Sequence, residues 1–118
     1  MGDDTWENTY TNRFNQSFPY PSLEVWDLHT VDNGILKHLH PTLEGKENKD
    51  WDVLIAHFLG VDHAGHRYGP SHPEMSKKLL QMDGVLQDVV EKLDDETLLV
   101  VIGDHGMDNK GDHGGDSE

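Results

Sequence analysis

The sequence predicts an α/β fold in which a mostly parallel sheet is flanked by helices. Two apolar stretches of strand length, WDVLIAHFLGV (51–61) and TLLVVIG (97–103), read as strands covered on both faces. Between them Met75, Leu79, Met82, Leu86, Val89, Val90 and Leu93 recur at intervals of three and four residues, the period of an amphipathic helix. Strand, helix and strand form a βαβ unit, whose strands run parallel through a right-handed crossover.

Taken in order, residues 1–26 are polar and aromatic, and Pro19 and Pro21 interrupt any long element. SLEVW (22–26) is the only plausible strand there. From Asp27 the text changes: Leu28, Val31, Ile35 and Leu39 stand at helical spacing, with Asp27 as candidate N-cap and Pro41 as the stop. Gly34 weakens this helix by its propensity cost. TLEGKENKD (42–50) is a charged loop, and the strand over 51–61 follows. DHAGHRYGPSHP then reads as a loop, and Ser71 to Pro73 open the helix that runs from Glu74 to Leu93. DDE (94–96) turns the chain into the strand over 97–103.

Composition narrows the function classes. The 118 residues carry 9 Lys+Arg against 23 Asp+Glu, a formal charge of −14, so no basic nucleic-acid footprint is present. The mean hydropathy is −0.72 and 34% of residues are hydrophobic, lean for a complete globular fold. There is no cysteine, which excludes disulfides and thiolate metal sites. No apolar run reaches the roughly 18 residues of a membrane span. MGDDTWENTY has neither the basic nor the apolar region of a signal peptide.

The chemistry gathers where the apolar runs end. Asp62 follows the first expected strand, and Asp104 and His105 follow the second. Parallel neighbours bring those ends to one sheet edge, where ligands bind in open α/β sheets. Gly65 lets Asp62 and His66 face one ion, Gly106 permits a sharp turn, and His113 returns among Gly111, Gly114 and Gly115. A single Asp or His after a strand is usually a turn former; the repetition is what points to metal. Carboxylate and imidazole without thiolate suit zinc or manganese in a water-accessible site. Two ions roughly 3.5–4 Å apart would clamp the attacking and leaving oxygens of a phosphoryl displacement.

HFLGVDHAGHRYGPSHPEM, GDHGM and GDHGG resemble the alkaline-phosphatase superfamily. With GDDTW and DLHTVDNGI, they resemble more closely the lumenal catalytic domain of the GPI ethanolamine phosphate transferases, with the type acting on the third mannose as the preferred match. The resemblance covers essentially the whole chain and implies an alkaline-phosphatase-like fold with two divalent ions, zinc or manganese. It implies Asp62, His66 and His113 as ligands of one ion and Asp104 and His105 as ligands of the other. His63 lies inside the motif without a transferable ligand role, so a phosphate contact or a place behind the ligands is left for it. Asp3, Asp4 and Trp6 are expected to pack structurally near the sheet edge. His57 is expected to be a core histidine and His72 to start the helix, while His29, His38 and His40 read as a solvated face.

The implied reaction moves phosphoethanolamine from phosphatidylethanolamine to a mannose of the GPI precursor glycolipid, at the lumenal face of the endoplasmic reticulum membrane. It proceeds by double displacement through a Thr nucleophile. A small membrane-protein subunit is an implied partner. The family's Thr segment is expected upstream of GDDTW; Thr5, Thr9, Thr11, Thr30, Thr42 and Thr97 do not stand in its context. Membrane association would come from segments outside this chain. Residues 1–118 are thus expected to be the central part of a single catalytic domain, incomplete at both ends and inactive in isolation. Two other readings stand beside this one: a phosphodiesterase or phosphatase using water as acceptor, and a non-catalytic metal-binding product of a truncated gene.

Overall fold

The computed structural model describes residues 1–21, 26–45 and 51–114. They form two units, Met1–Gly60 and Val61–Glu118.

In Met1–Gly60, strand β1 (Gly2–Asp3) pairs in parallel with β2 (Pro19–Tyr20), Gly2 opposite Pro19 and Asp3 opposite Tyr20. The Met1 ammonium donates to the Ile55 carbonyl at 2.9 Å, and the His57 amide donates to the Met1 carbonyl at 3.1 Å. Two bonds from one residue to positions two apart are the pattern of a parallel ladder. The segment expected as a strand over 51–61 therefore meets Met1, the residue before β1, in parallel for one step and is not assigned as a strand. Helix α1 (Thr5–Thr9) follows β1, and its Trp6 Nε1–H donates to His57 Nδ1 at 2.9 Å. Asp3 is buried and Trp6 packs edge-on against His57, the structural roles expected for them.

Helix α2 (Thr30–Leu43) carries the core of this unit. Leu28, Val31, Ile35, Leu39 and Leu43 are buried, as the helical spacing predicts. Asp27 Oδ1 accepts from the His29 and Thr30 amides at 3.0 and 2.9 Å, so it satisfies orphan donors at the helix start from two residues before the N-cap, His29. Gly34 earns its place because the Tyr20 ring lies where a side chain would stand, and Tyr20 O–H donates to the Gly34 carbonyl at 3.3 Å. Pro41 does not stop the helix. Its missing N–H falls in the last turn, where Thr42 Oγ1 donates to the His38 carbonyl at 2.7 Å. His29 is exposed, but His38 stacks on Phe18 with centroids 3.8 Å apart, and His40 is half-buried; the solvated face holds for the first alone. Asp32, also on α2, is buried and its Oδ1 accepts from the Leu59 and Gly60 amides, both at 3.1 Å.

In Val61–Glu118 the expected loop after the first strand is helical. Helix α3 spans Gly60–Tyr68 and ends where Gly69, at φ +84°, donates its amide to the Gly65 carbonyl at 2.7 Å. Helix α4 spans Pro73–Lys92, within a residue of its expected bounds. His72 starts it as anticipated: its Nδ1 accepts from the Glu74 amide at 3.2 Å. Met75, Val85 and Val89 are buried, whereas Leu79, Leu86 and Val90 remain exposed.

The strand expected over 97–103 forms no ladder among the described residues. Leu98 is 85% exposed and Ile102 82%, so the apolar run has no covering layer among them. A strand exists only through a hydrogen-bonded neighbour, and apolar content alone cannot supply one. The expected βαβ unit is therefore absent from the described residues, and the parallel pairing lies at β1 and β2. The α/β class stands. Of the strand expected over 22–26, residues 22–25 lie outside the described residues, and Trp26 is exposed in a turn. Within the expected 42–50 loop, Thr42 and Leu43 complete α2 and 46–50 lie outside the described residues. No helix of the described residues is long and apolar enough to cross a membrane.

Candidate metal centre

Helix α3 does what the expected loop was to do. Asp62 stands in its first turn, where a carboxylate suits the positive end of the helix dipole, and His66 stands one turn later. Residues four apart share a helical face, which sets Asp62 Oδ1 and His66 Nε2 3.4 Å apart.

The remaining imidazoles arrive from the segment after the exposed apolar run. Asp104 Oδ1 accepts from the His105 amide at 3.0 Å, and His105 Nε2 lies 3.8 Å from Asp62 Oδ1. Asp104 is 61% exposed and sits at the rim, its Oδ2 3.6 Å from His105 Nε2. His113 Nε2 lies 3.4 Å from Asp62 Oδ1. The His105 and His113 rings stack with centroids 3.8 Å apart, and His66 is tilted against His113 at 4.8 Å. Asp62 thus has His66, His105 and His113 around it, while Asp104 lies against its chain neighbour His105. His63, by contrast, is buried at 3% exposure.

A tight loop delivers His113. Asp108 Oδ1 accepts from the Lys110 amide at 2.7 Å and the Asp112 amide at 3.0 Å. The Asp108 amide donates to the Asp112 carbonyl at 2.8 Å, and the Gly111 amide to the Asp108 carbonyl at 3.1 Å. These bonds to the ionised form, first that from Asp112 and then that from Lys110, hold the Asp108 carboxyl below its ordinary range. Gly111 has φ +89° and faces the Gly65 carbonyl with no room for a Cβ. Gly65 in turn leaves its side-chain space to the Met107 thioether. Two glycines therefore let the loop press onto α3. Sequence reasoning noticed the glycines but missed Asp108, although DNKGD carries the Asp and Gly signature of a side-chain-closed turn.

The electrostatics of the cluster are unbalanced without a cation. His105 Nδ1 lies 3.1 Å from the Gly106 carbonyl, and His113 Nδ1 2.8 Å from the Gly114 carbonyl. A carbonyl only accepts, so both Nδ1 atoms carry the proton and donate. In the neutral rings the Nε2 lone pairs then face Asp62 Oδ1, which is buried and accepts no hydrogen bond among the described residues. Lone pairs converging on a buried carboxylate oxygen repel unless a proton or a metal cation stands among them. A tetrahedral ion with bonds of about 2.0–2.1 Å needs ligand atoms roughly 3.3–3.4 Å apart. The separations from Asp62 to His66 and His113, both 3.4 Å, meet that requirement. Asp62, His105 and His113 also offer atoms that all lie within 4.8 Å of one another, and His105 Nε2, at 3.8 Å, stands farther from Asp62 Oδ1 than His66 or His113 does.

A sequence profile of the family described as Type I phosphodiesterase / nucleotide pyrophosphatase matches residues 2–115. Among curated proteins, the chain is 64% identical over its full length to the catalytic subunit of GPI ethanolamine phosphate transferase 3 of Homo sapiens, covering 11% of that protein. It is 51% identical over 98% of its length to GPI ethanolamine phosphate transferase 3 of Saccharomyces cerevisiae, again 11% of that protein. With GPI ethanolamine phosphate transferase 2 of Yarrowia lipolytica the identity is 41% over 99% of the chain and 13% of the relative. The chain thus spans about a tenth of the length of these relatives. No solved structure gives a significant match.

Proposed function

The chain belongs to the Type I phosphodiesterase / nucleotide pyrophosphatase family, and from that premise we propose that it is the metal-binding part of a phosphoethanolamine transferase in GPI-anchor biosynthesis. The observation that carries the reading is the buried Asp62 Oδ1 facing the Nε2 atoms of His66, His105 and His113. In this reading residues 1–118 are the central part of one alkaline-phosphatase-like catalytic domain. Two divalent ions, zinc with manganese as the alternative, are held by Asp62, His66 and His113 and by Asp104 and His105. The greater identity to type 3 relatives than to the type 2 relative supports the third mannose of the GPI precursor as acceptor and phosphatidylethanolamine as donor.

The bound ions supply Lewis acidity, which lowers the pKa of a hydroxyl nucleophile and offsets charge on phosphoryl oxygens. The chain's own residues set up that environment. Asp62 contributes a carboxylate whose Oδ1 is shielded from solvent, and α3 fixes His66 beside it. His105 and His113 keep their Nε2 lone pairs inward by donating from Nδ1 to the neighbouring carbonyls, as metal-binding histidines do. Asp104 at the rim stands where substrate would approach. His63, buried in α3, backs the ligands from inside. The hydroxyl nucleophile, the membrane anchorage, a small membrane-protein subunit and the lumenal face of the endoplasmic reticulum membrane belong to the whole enzyme.

The test is transfer of labelled phosphoethanolamine from phosphatidylethanolamine to a mannosylated GPI precursor by a full-length transferase carrying this segment. Asp62→Ala and His113→Ala are expected to abolish transfer without loss of the protein. Unchanged transfer in both would overturn the reading. The family description also covers phosphodiesterases, and release of free phosphoethanolamine to water in place of transfer would favour that second reaction.

A further inference from the structure

We infer that Asp108 is a positioning residue for His113, fixing the imidazole in the metal centre through the loop it closes. The inference rests on the reading of the Asp62 cluster as a metal site. Asp108 lies outside that cluster, and its carboxylate is spent on backbone: Oδ1 accepts from the Lys110 and Asp112 amides at 2.7 and 3.0 Å. The main chain closes the same loop, with Asp108 N–H donating to the Asp112 carbonyl at 2.8 Å. Asp112 is the residue before His113, so its amide and carbonyl are both tied to one side chain and its backbone. Between them Gly111 is buried, at φ +89° against the Gly65 carbonyl of α3, the helix that carries Asp62 and His66.

The loop thus has a clasp at its base and a contact on α3 at its tip, and His113 leaves it already aimed. Without the clasp the Lys110 and Asp112 amides turn to water, and the His113 backbone samples several directions. A ligand that must be gathered on binding costs affinity that a preset one does not. Outer groups that orient metal-bound histidines typically account for about 10–100-fold in affinity. Asp108 does this one step further back, through the backbone instead of the ring.

Zinc binding to the chain is measured with a competing chromophoric chelator, together with thermal unfolding without metal and the NMR signals of the His113 ring. Asp108→Ala is expected to weaken zinc by about 10–100-fold and to broaden the His113 signals. Its metal-free unfolding midpoint should fall only slightly, because Asp108, Lys110 and Asp112 are exposed. Asp108→Asn keeps a carbonyl oxygen for the two amides and should bind zinc nearly as the native chain does. Asp62→Ala should lose zinc altogether. If Asp108→Ala binds like the native chain while Asp62→Ala does not, the positioning role falls and the metal centre stands. If Asp108→Asn is as weak as Asp108→Ala, the positioning role falls too. Native-like zinc binding by Asp62→Ala overturns the metal centre itself, and this inference with it.

Discussion

Gly111 lies against the carbonyl of Gly65 with no space between them for a methyl group, and this contact seats the His113 loop on helix α3. Gly111→Ala meets both that carbonyl and a left-handed backbone at φ +89°. A non-glycine residue in that region costs about 1–3 kcal/mol. Thermal unfolding should register this loss, and zinc affinity should fall at least about 10-fold as His113 is displaced. Gly114→Ala is the control: a Cβ there meets nothing among the described residues, so both readouts should stay native.

Metal should stabilise the fold through the cage. A ligand bound only by the native state at about 100 times its Kd adds roughly 2.7 kcal/mol. Zinc titrated into the metal-free chain should therefore raise Tm, and a chelator should return it. In Asp62→Ala, where the shared carboxylate is gone, Tm should not respond to zinc. An equal response in both proteins would show that zinc acts elsewhere.

Asp27 gives the start of α2 a pH dependence. The Thr30 hydroxyl first, then the His29 and Thr30 amides, favour the ionised carboxylate and pull its pKa from 3.8 to about 2. A group whose pKa is lower in the folded state stabilises it above the unfolded pKa. The contribution is therefore complete above pH 3.8 and is lost as pH falls through about 2. Carboxyl NMR shifts should titrate at about that lower value, and Asp27→Ala should remove this segment of the acid response. A midpoint near 3.8 would show that the capping bonds are absent in solution.

Asp32 holds the backbone that leads into α3. It is buried, and its Oδ1 takes the Leu59 and Gly60 amides. Asp32→Ala leaves two buried donors unmatched at about 1–3 kcal/mol each. Denaturant unfolding should thus lose roughly 2–6 kcal/mol on that basis, with Asp32→Asn recovering much of it. A loss below about 1 kcal/mol would mean that those amides find other acceptors.

The candidate site was largely legible because its ligands sit in short, glycine-marked stretches, and carboxylate with imidazole is a restricted chemical vocabulary. Helix α2 was legible because Leu28, Val31, Ile35 and Leu39 follow its period, and Asp27 caps it. Helix α3 was not, since two glycines and two histidines over 60–68 carry little helix propensity. Its support comes from outside its own nine residues: Asp32 at the first amides, Met107 over Gly65, and Gly111 against the Gly65 carbonyl. The runs over 51–61 and 97–103 were over-read as strands because apolar, β-branched content shows that a segment wants cover, without showing what provides it.

Read along the chain, side-chain chemistry names the residues that could bind a metal, the absence of thiolate among them, the start of α2 to within two residues and the start of α4 at His72. Those are matters of side-chain chemistry and of contacts between residues a turn apart. It took the folded chain to show that Asp62 and His66 share a helix, that His105 and His113 both face one carboxylate oxygen, and that parallel pairing falls at Gly2–Asp3 and Pro19–Tyr20. Pairing partners and ligand convergence depend on groups far apart along the chain, and local periodicity holds no record of such distances.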